Sequence, residues 1–142
     1  AELLLYIADH IKDKEYLQNC LKNDKIIIAD RYLTSTLVYQ SLKGTPQEKI
    51  LNLINLMEAP RPDLCILIKI SAETSLARKI KEKGEKLDRH EENLEFQKSL
   101  AKIYEKMAIE KIYCDWEIID GETSPQIVNE QIIKILYKKF NL

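Results

Sequence analysis

Apolar residues along the chain recur with two different periods. Leu4, Leu5, Ala8 and Ile11, then Leu17 and Leu21, fall at three- and four-residue spacing and predict a helical stripe. The polar run "KNDK" breaks the stripe, and four unbroken apolar residues follow, Ile26 to Ala29. A β-branched run that does not alternate predicts a strand of a parallel sheet covered on both faces. Ile50, Leu53, Ile54 and Met57 form another helical stripe, which "APRPD" must end because Pro60 and Pro62 each restrict the residue before them. A second strand is expected over Leu64 to Ile70. Ser71 is placed to cap a helix from Ala72 to Lys83, and Gly84 permits it to stop. Leu94, Leu100, Ile103, Tyr104 and Met107 predict a long helix from about Glu91 to Lys111. A third strand, Trp116 to Ile119, leads through "DGETSP" into a last helix with Ser124 as cap and Pro125 at its first position.

Apolar strands alternating with helices argue for a three-layer α/β fold with a parallel sheet. The 142 residues, 45% hydrophobic, are enough for one domain with a real core, and no repeat, low-complexity tract or linker divides them. The chain opens at Ala1 already inside a helical pattern, which reads as the continuation of a longer protein.

A formal charge of −1 gives no global attraction to nucleic acid or an anionic membrane, so any phosphate binding must be local. The longest early apolar run, "LLLYIA", is too short to span a bilayer and has no preceding basic region, so neither anchor nor signal peptide is expected. Cys20, Cys65 and Cys114 are odd in number and lack CxxC spacing. They read as reduced core residues of a cytoplasmic protein.

Ligands of parallel sheets bind beyond the carboxyl ends of strands. Asp30 and Arg31 stand at such an end in "IIIADRYLTSTLVYQ". Arg31 offers a planar fork of donors suited to a phosphate or carboxylate, and Asp30 could hold Mg²⁺ directly or through water. The plainer alternative is an ion pair that finishes a strand. Ser35 and Thr36 could equally be helix-start caps, and Tyr39 a core aromatic one turn from Ser35. From Arg78 to Arg89, six cations stand against three acids, so the run is either a phosphate-facing patch or a solvated helix face.

The segment "DRYLTSTLVYQ" resembles the motif of thymidylate kinases, in which Asp-Arg-Tyr (or His) is followed after two residues by Ser and, four further on, by Tyr and Gln. "RPDLCILIKISAETSLARKIKEKGEKLDRHE" looks like that family's next strand and lid, and "WEIIDGETSPQIVNEQI" resembles its last strand and helix. Together they cover nearly the whole chain in the family's order. The resemblance implies a P-loop nucleoside monophosphate kinase fold that transfers the γ-phosphoryl of ATP to dTMP with Mg²⁺, with dTMP and ATP as partners. It implies that Arg31 grips the acceptor phosphate while Asp30 organises Mg²⁺ and phosphates. Ser35 and Thr36 would lie near thymine and its sugar, Tyr39 against the deoxyribose where a 2′-hydroxyl would fall, and Gln40 beside them. Tyr6 matches the aromatic that stacks on thymine. His10 stands where the family usually carries an arginine for the thymine O4; a neutral imidazole can donate one hydrogen bond but no charged fork. In the lid, Arg78, Lys79, Lys81 and Lys83 supply charge over ATP, and Arg89 in "LDRHE" is the expected specific phosphate contact. The family is commonly dimeric, though nothing in the sequence locates an interface.

The match has one gap. No G-x-x-x-x-G-K-[ST] occurs, and Gly44, Gly84 and Gly121 cannot build a phosphate cradle. The simplest reading is a partial thymidylate kinase domain over residues 1–142, with its N-terminal strands and phosphate loop upstream. The alternatives are a kinase of another nucleoside monophosphate or of a deoxynucleoside, and a loop-less relative that binds nucleotides without catalysis.

Overall fold

The computed structural model describes residues 2–83 and 94–141. The chain divides into two units, Ala1–Pro62 and Asp63–Leu142. Among the described residues the first unit's regular elements are all helices. Its early helical stripe forms two elements, α1 (Glu2–Ile11) and α2 (Lys14–Lys22). The break falls at the polar pair Lys12 and Asp13: the Lys12 N–H still bonds back to Ala8, while the Leu17 N–H starts a new helix on the Asp13 carbonyl. Two more helices follow, α3 (Leu33–Leu42) and α4 (Gln47–Leu56).

Helix α3 packs against both α1 and α4, and this position explains its burial. Ile7 of α1, Leu33, Leu37 and Val38 of α3, and Ile50 and Ile54 of α4 are each no more than 1% exposed. Their burial contributes roughly 1.5–3 kcal/mol per side chain. With neighbours on two sides, α3 also buries Thr34, Thr36 and Gln40. The Lys14 ammonium joins α2 to the end of α4 by donating to the Met57 carbonyl at 3.1 Å.

The strand expected over Ile26 to Ala29 is not formed. Ile26 is 63% and Ile28 88% exposed. A strand exists only where a neighbouring backbone supplies partners for its N–H and C=O groups. The described residues of this unit contain no other strand, so an apolar β-branched run there has nothing to pair with.

In the second unit, β1 (Cys65–Lys69) and β2 (Trp116–Asp120) pair in parallel, with Cys65 opposite Trp116 and Lys69 opposite Asp120. Between them come α5 (Ala72–Lys83) and α6 (Leu94–Ile109); α7 (Pro125–Phe140) follows β2. A parallel pair requires such a crossover, since a tight hairpin cannot return the chain in the same direction. Helix α6 packs on both strands, α5 on α6, and α7 on β2. Leu100, Met107 and Ala108 of α6 meet the core, as do Trp116 and Ile119 of β2.

Local signals start the helices as expected. The Ser71 hydroxyl accepts the Thr74 N–H at 3.0 Å, and Ser124 accepts the Ile127 N–H at 3.4 Å, with Pro125 at the first helical position. Gly121, just past β2, is fixed by space. A Cβ there would lie 2.6 Å from the Cγ2 atoms of both Ile68 and Ile70 and 3.1 Å from the Lys69 carbonyl oxygen. That carbonyl accepts the Gly121 N–H at 2.8 Å, so the close approach is held by a hydrogen bond. The second unit is thus an α/β arrangement of three helices and a small parallel sheet among the described residues.

Candidate functional site

The backbone turns sharply between the exposed segment and α3. Arg31 has φ +57°, in the left-handed region, which costs a non-glycine residue about 1–2 kcal/mol. Tyr32 is then extended, and α3 begins at Leu33. The Ser35 N–H bonds the Tyr32 carbonyl at 2.9 Å, closing the first turn. From this turn the Arg31 side chain reaches Tyr39 of α3. Its Nη2 donates to the Tyr39 hydroxyl at 2.9 Å, and its Cζ lies 5.3 Å from the Tyr39 ring centroid. One aromatic side chain thus holds the guanidinium by a hydrogen bond and by its π-face, the latter contributing about 0.5–1 kcal/mol at an exposed site.

Ser35 and Tyr39 are four residues apart in α3 and so lie on one side of it, and the bond to the Tyr39 hydroxyl brings Arg31 to that side. Ser35 and Tyr39 are half-buried and Arg31 is exposed, which leaves this side open to a ligand. Asp30 is exposed next to Arg31. Thr36 and Gln40 are placed differently: they are 5% and 4% exposed, on the packed side of α3. The Gln40 Nε2 is buried and meets no hydrogen-bond acceptor among the described residues.

Helix α1 also meets this turn. His10 meets Tyr32 edge to face, with ring centroids 5.2 Å apart and an interplanar angle of 70°. Burial lowers the His10 pKa from 6.5, against the weaker opposing pull of Asp9 and Asp13, so the neutral imidazole prevails at neutral pH. Tyr6 lies one turn before His10 on the same side of α1 and is 51% exposed, with much of its ring available for stacking. Tyr32 is a further candidate at this turn that the pattern reading passes over. Its ring is half-buried, its pKa is raised by burial, and its hydroxyl has no hydrogen-bond partner among the described residues. The available signal was its place directly after Asp30 and Arg31 in "DRY".

In the second unit, the start of α5 is tied to the turn after β2. Glu122 accepts from the Ser71 N–H at 2.6 Å and from the Thr74 hydroxyl at 2.8 Å. These donors, with help from Arg78, hold its carboxyl below the usual range. The Arg78 Nη2 donates to the Gly121 carbonyl at 2.9 Å, so this guanidinium secures the turn. Further along α5, Lys79 is half-buried and Lys81 exposed. The Lys83 side chain and Arg89 lie outside the described residues.

The thymidylate kinase family model matches residues 1–132. The chain is 31% identical over 137 residues to the probable thymidylate kinase of Pyrococcus abyssi, covering 96% of this chain and 64% of that protein. It is 36% identical over 141 residues to the probable thymidylate kinase of Sulfolobus acidocaldarius, covering 97% of this chain and 67% of the relative. Against the thymidylate kinase of Prochlorococcus marinus (strain AS9601) it is 31% identical over 145 residues, covering 99% of this chain and 66% of that protein. The chain belongs to the thymidylate kinase family. It spans just under two thirds of the Pyrococcus abyssi protein's length.

Proposed function

We propose that the whole protein is a cytoplasmic thymidylate kinase, transferring the γ-phosphoryl group of ATP to dTMP and releasing dTDP and ADP. This reading includes a three-layer P-loop kinase fold for the whole protein. The observation that carries it is the Arg31–Tyr39 pair at the start of α3, in a chain of this family. In this reading Arg31 holds the acceptor phosphate with its fork, Tyr39 packs against the deoxyribose, Ser35 bonds the base or sugar, and Tyr6 and His10 border thymine. Thr36 and Gln40, being buried, act on the site by supporting α3.

The reaction requires no protein base. A nucleotide phosphate has its second pKa at about 6 and is already ionised near neutrality. What remains is alignment and neutralisation of charge, which arginine and lysine supply. The lysines of α5, with Arg89, belong in this reading to the ATP side.

Among the described residues no three His, Cys, Asp or Glu side chains converge to hold a metal ion. Mg²⁺ is commonly bound through one or two carboxylates, with substrate phosphates and water completing its shell. Asp30 is the carboxylate suited to add to such a shell. Mg²⁺ would supply neutralisation of the phosphate charge.

The test is ATP-dependent phosphorylation by the whole protein of dTMP, dUMP, dCMP, AMP and thymidine, resolved by chromatography. Preferential formation of dTDP is expected. Preference for a different acceptor would replace the substrate assignment, and no turnover of any acceptor would favour a binding protein without catalysis.

A further inference from the structure

Two of the three cysteines meet in the second unit. The sulfurs of Cys65 and Cys114 are 3.1 Å apart, and neither residue is in a disulfide. We propose that they form a dithiol site that low-molecular-weight disulfides or peroxides convert reversibly into an intramolecular disulfide.

The contact is imposed by the surrounding backbone. Cys65 is the first residue of β1, and its N–H donates to the Asp115 carbonyl at 2.8 Å, fastening the two segments beside the thiols. After α6 the chain bends through Lys111 and Tyr113, with φ +49° and +76°. Tyr113 and Trp116 are buried on either side of Cys114, and the Trp116 indole donates to the Ile112 carbonyl at 2.9 Å. These anchors present Cys114 to Cys65 whether or not the sulfurs bond. A disulfide bond is about 2.05 Å long, so the sulfurs need to close by only about 1 Å. Both residues are half-buried, within reach of a small oxidant, whereas Cys20 is 6% exposed in the other unit.

With glutathione disulfide the chemistry balances in two exchanges. The thiolate of one cysteine attacks a sulfur of the oxidant, forming a mixed disulfide and releasing one glutathione thiolate. The thiolate of the other attacks the protein sulfur of that mixed disulfide, forming the Cys65–Cys114 bond and releasing the second glutathione. The two protons given up by the cysteines go to the departing thiolates, and the oxidant is reduced to two thiols. With hydrogen peroxide, a sulfenic acid forms on one cysteine with loss of water, and the other thiol displaces a second water. The bond would tie the head of β1 to the approach to β2, enclosing α5 and α6 in one loop.

The full chain should be equilibrated with reduced and oxidised glutathione over a range of ratios, acid-quenched, alkylated and peptide-mapped. A linked peptide joining residues 65 and 114 within one chain is expected, appearing with loss of both thiols to alkylation and disappearing on adding dithiothreitol. Trp116, the one tryptophan of the chain and the register partner of Cys65, should lose emission on oxidation of the wild type and not of Cys65→Ser. Persistence of both thiols throughout, linkage through Cys20 or between chains, or a stable glutathione adduct on either cysteine would overturn the proposal. Wild-type mapping decides the matter even if Cys65→Ser folds poorly.

Discussion

Arg31→Lys separates the geometry of the candidate site from its charge. Both residues carry one positive charge and a Cβ, so the left-handed conformation at φ +57° costs each of them about the same, and backbone strain cancels in the comparison. The planar fork does not cancel. In the structure it is oriented by the Tyr39 hydroxyl at 2.9 Å and by the ring, 5.3 Å from Cζ to the centroid. A lysine ammonium is a point donor that cannot accept the same two-sided positioning. A charge-assisted hydrogen bond contributes about 1.5–3 kcal/mol. Losing one of the two bonds that a fork makes to a phosphate should therefore lower kcat/KM for dTMP about ten- to a hundredfold. Steady-state kinetics of the whole protein with each substrate varied in turn provide the assay, with a thermal melt to establish that the variant is folded. The KM for ATP should change by less than threefold, because the role assigned to Arg31 concerns only the acceptor. If kcat/KM for dTMP is unaltered, Arg31 is not a phosphate ligand and its bond to Tyr39 only finishes a turn. An equal loss toward both substrates would place Arg31 at the transferred group and refute its assignment to the acceptor alone.

Tyr39→Ala should narrow the preference for dTMP over its ribose counterpart by roughly tenfold, the scale of one small group in a fitted pocket; an unchanged ratio of the two kcat/KM values would leave Tyr39 only its hold on Arg31. His10 should make stability depend on pH. Its folded pKa lies below the 6.5 of the free side chain, so the unfolded chain binds more protons in the interval between them, and His10's contribution is present above about 6.5 and fades as pH falls toward the folded value. Urea midpoints of the wild type should therefore drop more on acidification from about pH 8 to 5 than those of His10→Gln, and parallel pH profiles would contradict this. Gly121→Ala should destabilise the second unit by about 1–3 kcal/mol, because its Cβ meets two β-branched methyl groups and a backbone oxygen with little room to yield; urea unfolding followed by Trp116 fluorescence measures it, and a loss below about 0.5 kcal/mol would show that the strand end gives way easily.

What could be read from the sequence follows from how far each signal reaches along the chain. The starts of α5 and α7 were legible because Ser71, Ser124 and Pro125 act on backbone groups within three residues. That Tyr39 stands one helical turn from Ser35 was legible because helical spacing is local; the bond from Arg31 to the Tyr39 hydroxyl was not, because it depends on the turn at Arg31. Nor was the burial of Thr36 and Gln40. In the sequence Thr36 reads as a helix-start cap or a neighbour of thymine and its sugar, with Gln40 beside it, and only the packing of α3 against both α1 and α4 encloses them. Arg78 is a similar case: as one cation in a basic run it reads as part of a patch, yet the Gly121 carbonyl, far along the chain, claims its guanidinium.

The segment Ile26 to Ala29 shows where pattern reading stops, because its composition is right for a strand and the strand does not form. Ile26, Ile27 and Ile28 are 63%, 37% and 88% exposed, so Ile27 is the most sheltered of three residues that all remain open to solvent. A paired strand in a covered sheet would instead bury this run on both faces. What β-branched residues determine is a backbone that is extended at low cost and can present a ladder; whether the ladder closes depends on a neighbour, which no local period encodes. The pair β1 and β2 makes the same point from the other side. "CILIK" and "WEIID" are no more β-prone than "IIIA", but in the second unit the crossover through α5 and α6 returns a second backbone in register, and there the strands form.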